Sequence, residues 1–430
     1  MAGNQSHASN EAEPISILAC GGSLPLEVAQ ILRDAGRRIN IVSINGMADA
    51  DYSGFSQTSV SIGRIGALLK ALKANDAREM IIAGHARRPD LRSLNIDWGF
   101  VRHIMMIMSL TRGGDDHVLR KIAGFFERCG LTVRSIADVA PALLTPPGAI
   151  VGQVTTTRYL GAGVGLQLVH QLGPFDVGQA VVMEDNAVIA IEGAEGTDGL
   201  LARLPPADSR SKANSTRTLV KAAKPEQDLR VDLPTIGAAT IERCKQSGVR
   251  HIALETGRSL IVSRAETIKQ AHAANITIVG LEGTKPSTST EEPKHPTRLV
   301  HHAWIKPTAQ AVRDASKGVR LLSVLALTCP VRATIVAREN VLAISLDEAT
   351  GHFIERTEKL AQWGDRREKR KRNRTLVLHS MEELETGTLD YVQNSKIAGI
   401  AFVHSYQTSA KFDQLVSDAN ARNLFVLSPE

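Results

Sequence analysis

Aromatic side chains make up only 4% of this 430-residue chain, and its four cysteines, Cys20, Cys129, Cys244 and Cys329, lie far apart. With no Cys-x-x-Cys pair, neither a zinc site nor a disulfide framework is indicated, and a reducing compartment is the simplest reading. Residues 1–14 are polar with no apolar h-region, and nowhere do about 18 uncharged apolar residues run together. A soluble or peripheral protein of the cytoplasm is expected. Also missing are Gly-x-Ser-x-Gly, His-Glu-x-x-His, the Walker A sequence and a full Gly-x-Gly-x-x-Gly. These absences disfavour the serine-hydrolase, zincin, P-loop and dinucleotide-cofactor classes.

The formal charge is +6, but residues 365–374 alone carry seven cations and two anions. A solvated basic loop is the first reading, and contact with an anionic membrane or polyanion the second. With so few aromatics and no recognised module, nucleic acid is not expected as a partner.

What is present points to an α/β protein of two or three domains, because 430 residues exceed one ordinary core. An apolar run at 15–19 breaks at Gly21-Gly22-Ser23-Leu24-Pro25 into a helical stretch that Pro25 can start. Strand-like runs recur at 40–44 and 79–83, with helical stretches at 25–35 and 65–74. That alternation predicts a parallel α/β layer. A glycine turn at a helix N-terminus can hold phosphate or simply make a tight turn. Arg87-Arg88-Pro89 follows a strand end, Gly114-Asp115-Asp116 reads as a helix start, and the methionine-rich stretch 103–110 reads as a core helix.

Residues 283–296 have linker composition. Beyond them the sequence echoes itself: Arg374-Thr375-Leu376-Val377 repeats Arg217-Thr218-Leu219-Val220, residues 340–344 echo 186–191, and 418–424 track 270–276. We therefore read 301–430 as a degenerate copy of 158–281. Glu195 is kept as Glu348, but Asp198 becomes Gly351, Lys221 becomes Leu378 and Lys224 becomes Met381. Apolar scaffold survives while the charged cluster is lost, which assigns chemistry to the first copy.

That cluster occupies 192–198 and 219–237, each block following a β-branched run, so strand ends should present several carboxylates and cations together. Glu195, Asp198, Asp228 and Asp232 could bind a cation or activate water, and Lys221, Lys224 and Arg230 could neutralise a phosphoryl group.

Gly-Gly-Ser-Leu-Pro (21–25), Arg-Arg-Pro (87–89), Gly-Asp-Asp (114–116), Asp-Val-Gly-Gln (176–179), Glu-Gly-Thr-Asp (195–198) and the run 224–237 together resemble the LpxI-type UDP-2,3-diacylglucosamine diphosphatases. The resemblance spans about residues 14–283 and implies Mg²⁺ or another divalent cation. The reaction it implies is hydrolysis of UDP-2,3-diacylglucosamine at the α-phosphorus to UMP and 2,3-diacylglucosamine 1-phosphate (lipid X), a step of lipid A biosynthesis in Gram-negative bacteria. It implies a Rossmann-like N-terminal domain (14–150) and a catalytic α/β domain (151–283), followed here by a linker (284–300) and the non-catalytic copy (301–430). By the same resemblance Asp232 is the first choice for an essential carboxylate. Asp198, Asp228 and Glu195 are further catalytic candidates, with Asp198, Asp228 and Asp232 as metal ligands. Lys221, Lys224, Gln227, Arg230, Thr197, Gln179, Gly21, Gly22 and Arg88 are the expected substrate contacts.

Two alternatives stand beside this reading: a homologue that binds sugar nucleotides without turnover, and a hydrolase of another UDP-sugar. The third segment is expected to pack as the catalytic domain packs, giving a homodimer or a pseudo-dimer within one chain. Peripheral contact with inner-membrane lipid is the expected membrane association.

Overall fold

The structure is a computed structural model, described for residues 13–86, 95–109, 115–153, 155–205, 216–283, 298–360, 372–406 and 409–430. The N-terminal sheet comprises β1 (Ile15–Ala19), β2 (Ile39–Ile44), β3 (Ser56–Val60), β4 (Glu79–Ala83) and β5 (Thr132–Val133). All pairs are parallel and the order is β3-β2-β1-β4-β5. Every residue of β1 is buried, as a central strand covered on both faces requires. One face carries α1 (Leu24–Asp34), whose Pro25, Val28, Ala29 and Leu32 form a single buried stripe, with the short α6 (Ile136–Val139) beside it. The other face carries α2 (Ile65–Leu72) and α5 (Asp115–Arg128). The strand order reverses between β1 and β4, which is where ligands bind in open α/β sheets.

The methionine-rich stretch, described through Ser109, forms a short helix that meets the core through Met106. It contributes α4 (Ile104–Ser109), next to α3 (Trp98–Arg102), and leaves Ile104 exposed with Met106 only partly buried. Asp97 fixes this region by accepting N–H groups of Gly66, Ala67 and Phe100, so one carboxylate caps two helix starts.

The second sheet begins at β6 (Gly148–Val151) and continues with β7 (Ala180–Glu184), β8 (Ala187–Ile191), β9 (Arg217–Lys221), β11 (Val249–Glu255) and β13 (Thr277–Leu281), ordered β6-β13-β11-β9-β7-β8. Between these strands run α7 (Thr156–Leu172), α8 (Gly196–Ala202), α9 (Ala238–Gln246) and α10 (Arg264–Ala273), and a two-stranded pair forms from β10 (Thr235–Ile236) and β12 (Leu260–Ile261).

The third sheet contains β14 (Leu299–His301), β15 (Ala333–Ala337), β16 (Asn340–Ser345), β17 (Arg374–Leu378), β18 (Ile397–Phe402) and β19 (Phe425–Pro429), accompanied by α11 (Ala309–Leu325), α12 (Thr350–Glu358), α13 (Thr388–Asn394) and α14 (Ala410–Ala421). Its order, β14-β19-β18-β17-β15-β16, matches the second sheet strand for strand. In both, the three central strands are parallel and the flanking pairs antiparallel.

One apolar core joins the second and third sheets, combining Leu166 and Val169 of α7 with Val319 and Leu322 of α11. A different core ties the N-terminal sheet to the second unit through Leu233 and Leu260. Among the described residues no helix is long and apolar enough to cross a membrane.

Candidate active site

The cleft between the N-terminal layer and the second sheet is an open cavity of ≈ 340 Å³. Its N-terminal wall is the switch point of the first sheet: Gly21 to Leu24 after β1, and Gly84 and His85 after β4. Its other wall is the end of β9 at Lys221, the residue Gln179 just before β7, and the loop from Leu229 to Thr235. Polar ties hold the walls together. Glu27 of α1 accepts the N–H of Ser263 at 2.8 Å, Ser135 donates to Leu229 O, and Arg120 donates to Glu226 O.

Close approach explains the glycines of the first wall. Gly84 has φ +91°, and a Cβ there would stand 2.4 Å from Gly21 O. A Cβ on Gly21 would lie 2.6 Å from the His85 ring. The turn's donors are already used, since Gly21 N bonds His85 O and Gly22 N donates to Asp49 Oδ1 at 2.7 Å. Gly21 and Gly22 therefore shape the cleft and seat His85, and their N–H groups are not turned to a phosphate in this arrangement.

Asp232 is the carboxylate of the cleft. Its Oδ2 accepts Gln179 Nε2 at 2.8 Å and also Gln227 Nε2. Each glutamine is itself held. Gln179 N donates to Glu192 Oε2, and Gln227 Oε1 accepts Lys224 N at 2.9 Å, which turns its amide nitrogen toward Asp232. Burial pushes the Asp232 pKa up from its ordinary range, opposed by the two glutamine hydrogen bonds and by the charges of Lys224 and Lys221. Lys221 Nζ donates to Thr235 O at 3.0 Å, and Lys224 Nζ is paired with Asp176. Both lysines are largely buried, so their charge acts in a weakly screened environment.

The remaining sequence candidates are distributed unevenly. Arg230 lines the cleft and clasps Asp228 with Nε at 2.9 Å and NH2 at 2.7 Å, while also meeting Glu127 of the N-terminal layer. That clasp, by hydrogen bonding above all, holds the Asp228 carboxyl below its usual range. Asp198, on α8, is exposed and paired with Arg243. Glu195 lies at the junction with the third sheet, bonded to Arg203 at 3.1 Å. Thr197 donates to Glu192, supporting the residue that fixes Gln179. Arg88 lies outside the described residues. The fold thus gathers Asp232, Gln179, Gln227, Lys221, Lys224 and Arg230 with the two glycines, and does not bring Asp198 or Glu195 to the cavity wall.

Among the described residues no group of three or more His, Cys, Asp or Glu side chains is arranged to hold a metal ion. Magnesium does not require one, because one or two carboxylates with water and substrate phosphates commonly suffice. Asp232 fits that role beside its lysines, whereas Asp198 and Asp228 are committed to arginines.

Three supporting residues had no assigned role in the sequence, although Asp176 falls within the Asp-Val-Gly-Gln motif. Asp176 holds Lys224, and His85 lines the cleft. Glu255, at the end of β11, accepts Ala223 N and meets His170, anchoring the segment that carries Lys224. The signal available for Glu255 was a lone acid closing the apolar run Ile252–Leu254 of its strand.

Fold and cleft define an α/β protein whose Rossmann-like N-terminal sheet faces a carboxylate and lysine site on a second sheet. Residues 14–143 match the model of the LpxI N-terminal domain and residues 147–279 that of the LpxI C-terminal domain. The chain belongs to the LpxI family. It is 32% identical over 273 residues to UDP-2,3-diacylglucosamine pyrophosphatase LpxI of Caulobacter vibrioides, an alignment covering 62% of this chain and 97% of that relative.

Proposed function

We propose that the chain hydrolyses the diphosphate of UDP-2,3-diacylglucosamine, releasing UMP and 2,3-diacylglucosamine 1-phosphate. The observation that carries this reading is Asp232, held by Gln179 and Gln227 beside Lys221 in a cleft between two sheets. The Caulobacter relative, bearing the name of that pyrophosphatase and aligned over nearly its whole length, supplies the substrate class.

In its ionised form Asp232 accepts the proton of an attacking water as the new P–O bond forms and the bridging P–O bond breaks. Lys221 and Lys224 favour that ionised form and offset charge on the phosphoryl oxygens. Arg230, drawn to Asp228 and Glu127, spans both walls and orients the diphosphate. Asp232 would be the residue to hold magnesium or another divalent cation, which would supply further charge neutralisation. A diacylated substrate also places the protein at the surface of the membrane that carries it, which vesicle sedimentation would register.

Purified protein incubated with UDP-2,3-diacylglucosamine and Mg²⁺ in ¹⁸O-water tests the proposal. UMP and the sugar phosphate should form in equal amounts, with label in UMP for attack at the α-phosphorus. Label in the sugar phosphate would move the attack to the other phosphorus. Binding without UMP release would make the protein a sugar-nucleotide-binding homologue, and equal turnover of a deacylated UDP-sugar would overturn the substrate assignment.

A further inference from the structure

Corresponding residues of the second and third sheets meet each other at their junction. Arg203 bonds Glu195 and Ile191 O, and Arg356, 153 positions later, bonds Glu348 and Ile344 O in the same way. The two sets touch: Arg356 NH1 lies 4.0 Å from Glu195 Oε1, and Ala194 N donates to Leu342 O at 2.9 Å. A Cβ on Gly193 would lie 2.5 Å from that same oxygen. Within its own unit each first helix packs alike, Gly165 of α7 against Val220 of β9 and Gly318 of α11 against Val377 of β17, and across the junction α7 and α11 share one apolar core. Like elements facing like elements is the geometry of an isologous interface between two subunits, realised here inside one chain.

Among its described residues the third unit does not repeat the lysine and glutamine of the cleft wall. Lys221 pairs with Ala180 at the end of β9, and Leu378 pairs with Ala333 at the same place. Where Gln179 precedes β7, Arg332 precedes β15, and it is tied to Glu383 and Glu385. Yet this unit reaches the working site. Arg320 of α11 stacks over Phe175 at 5.8 Å, and Phe175 precedes Asp176, the left-handed residue that grips Lys224. Lys317, one turn earlier on α11, is close enough for Asp176 and Lys224 to act on its charge in opposite senses.

We propose that residues 298–430 serve as an internal partner subunit, filling within one chain the place a second copy of residues 148–281 would take, and that α11 buttresses the Phe175–Asp176 corner positioning Lys224. The first part is independent of the hydrolase reading, and the consequence for turnover rests on it.

Light scattering and hydrogen exchange on the full chain test both parts without an activity assay. A single-chain mass of 46.3 kDa is expected at every concentration, and a concentration-dependent dimer would overturn the internal-partner assignment. Arg320→Ala should speed exchange across residues 173–178 by about ten-fold with α11 still protected, and Arg320→Lys should restore protection. Unchanged exchange at 173–178 in Arg320→Ala would overturn the buttress. In kinetics, Arg320→Ala should raise KM for the diphosphate more than it lowers kcat. If wild-type chain is monomeric with the expected exchange but does not cleave the substrate, the hydrolase reading fails and the internal-partner inference stands.

Discussion

Gln179 Nε2 donates to Asp232 Oδ2 at 2.8 Å, linking the residue before β7 to the loop after β9 across 53 positions of sequence. Because Gln179 N is itself bonded to Glu192, the amide is set before any ligand arrives. Such pre-set donors hold a carboxylate in one orientation without neutralising it, which suits a group that must accept a proton.

Asp232→Asn should lose turnover on the order of 10² to 10⁴-fold while folding normally, since the change is near-isosteric and its oxygen still accepts an amide N–H. Steady-state release of UMP alongside a circular dichroism melt measures both. Turnover within two-fold of wild type would remove Asp232 from the mechanism.

The same substitution has a signed effect on stability. Burial raises the Asp232 pKa above its ordinary 3.8, so between that value and the native pKa the folded state keeps a proton that the unfolded chain has released. Stability from this group is therefore full below pH 3.8 and is lost as pH rises through the native pKa. Asp232→Asn escapes that loss, so its Tm should match wild type in acid and exceed it near neutrality. A lower Tm at neutral pH would show that the carboxylate stabilises the fold instead.

Gln179→Glu sets a second carboxylate against Asp232 at hydrogen-bond distance. Like charges raise each other's pKa, so the acid limb of the kcat/KM profile should move to higher pH. An unmoved limb with unchanged activity would separate Gln179 from the proton chemistry.

Gly318→Ala tests the packing of the third unit. Its Cβ would lie 2.5 Å from Val377 Cγ2, and a β-branched neighbour has little freedom to turn away. Overpacking of about 1–3 kcal/mol outweighs a helix-propensity gain of roughly 1 kcal/mol, so urea midpoints should fall. Gly165→Ala, against Val220, should act in the same direction.

Much of the fold was legible because it rests on local pattern. The β1 run, the Gly21-Gly22 break and Pro25 mark a strand, turn and helix within a few residues, and the Arg217 and Arg374 blocks mark the starts of β9 and β17. The site was legible where its residues share one loop, as Gln227, Arg230 and Asp232 do. It was obscure where pairing is nonlocal. Asp198 sits in the first turn of α8 with its side chain exposed, and its partner Arg243 on α9 could not be foreseen from spacing. Glu195 read as a site residue because it lies in the charged block 192–198 after a β-branched run and in the Glu-Gly-Thr-Asp motif, yet its surroundings are set in part by Arg356 from a distant segment.

In the proposed reaction Asp232, in this cleft, drives cleavage of a UDP-linked diacylglucosamine. Single-turnover quench of wild type and Asp232→Asn with UDP-2,3-diacylglucosamine in enzyme excess tests it most directly, because substrate binding and bond cleavage are read in one trace. Wild type should give UMP and 2,3-diacylglucosamine 1-phosphate, and Asp232→Asn should give bound but uncleaved substrate. Cleavage at comparable rates by both proteins would contradict that role for Asp232.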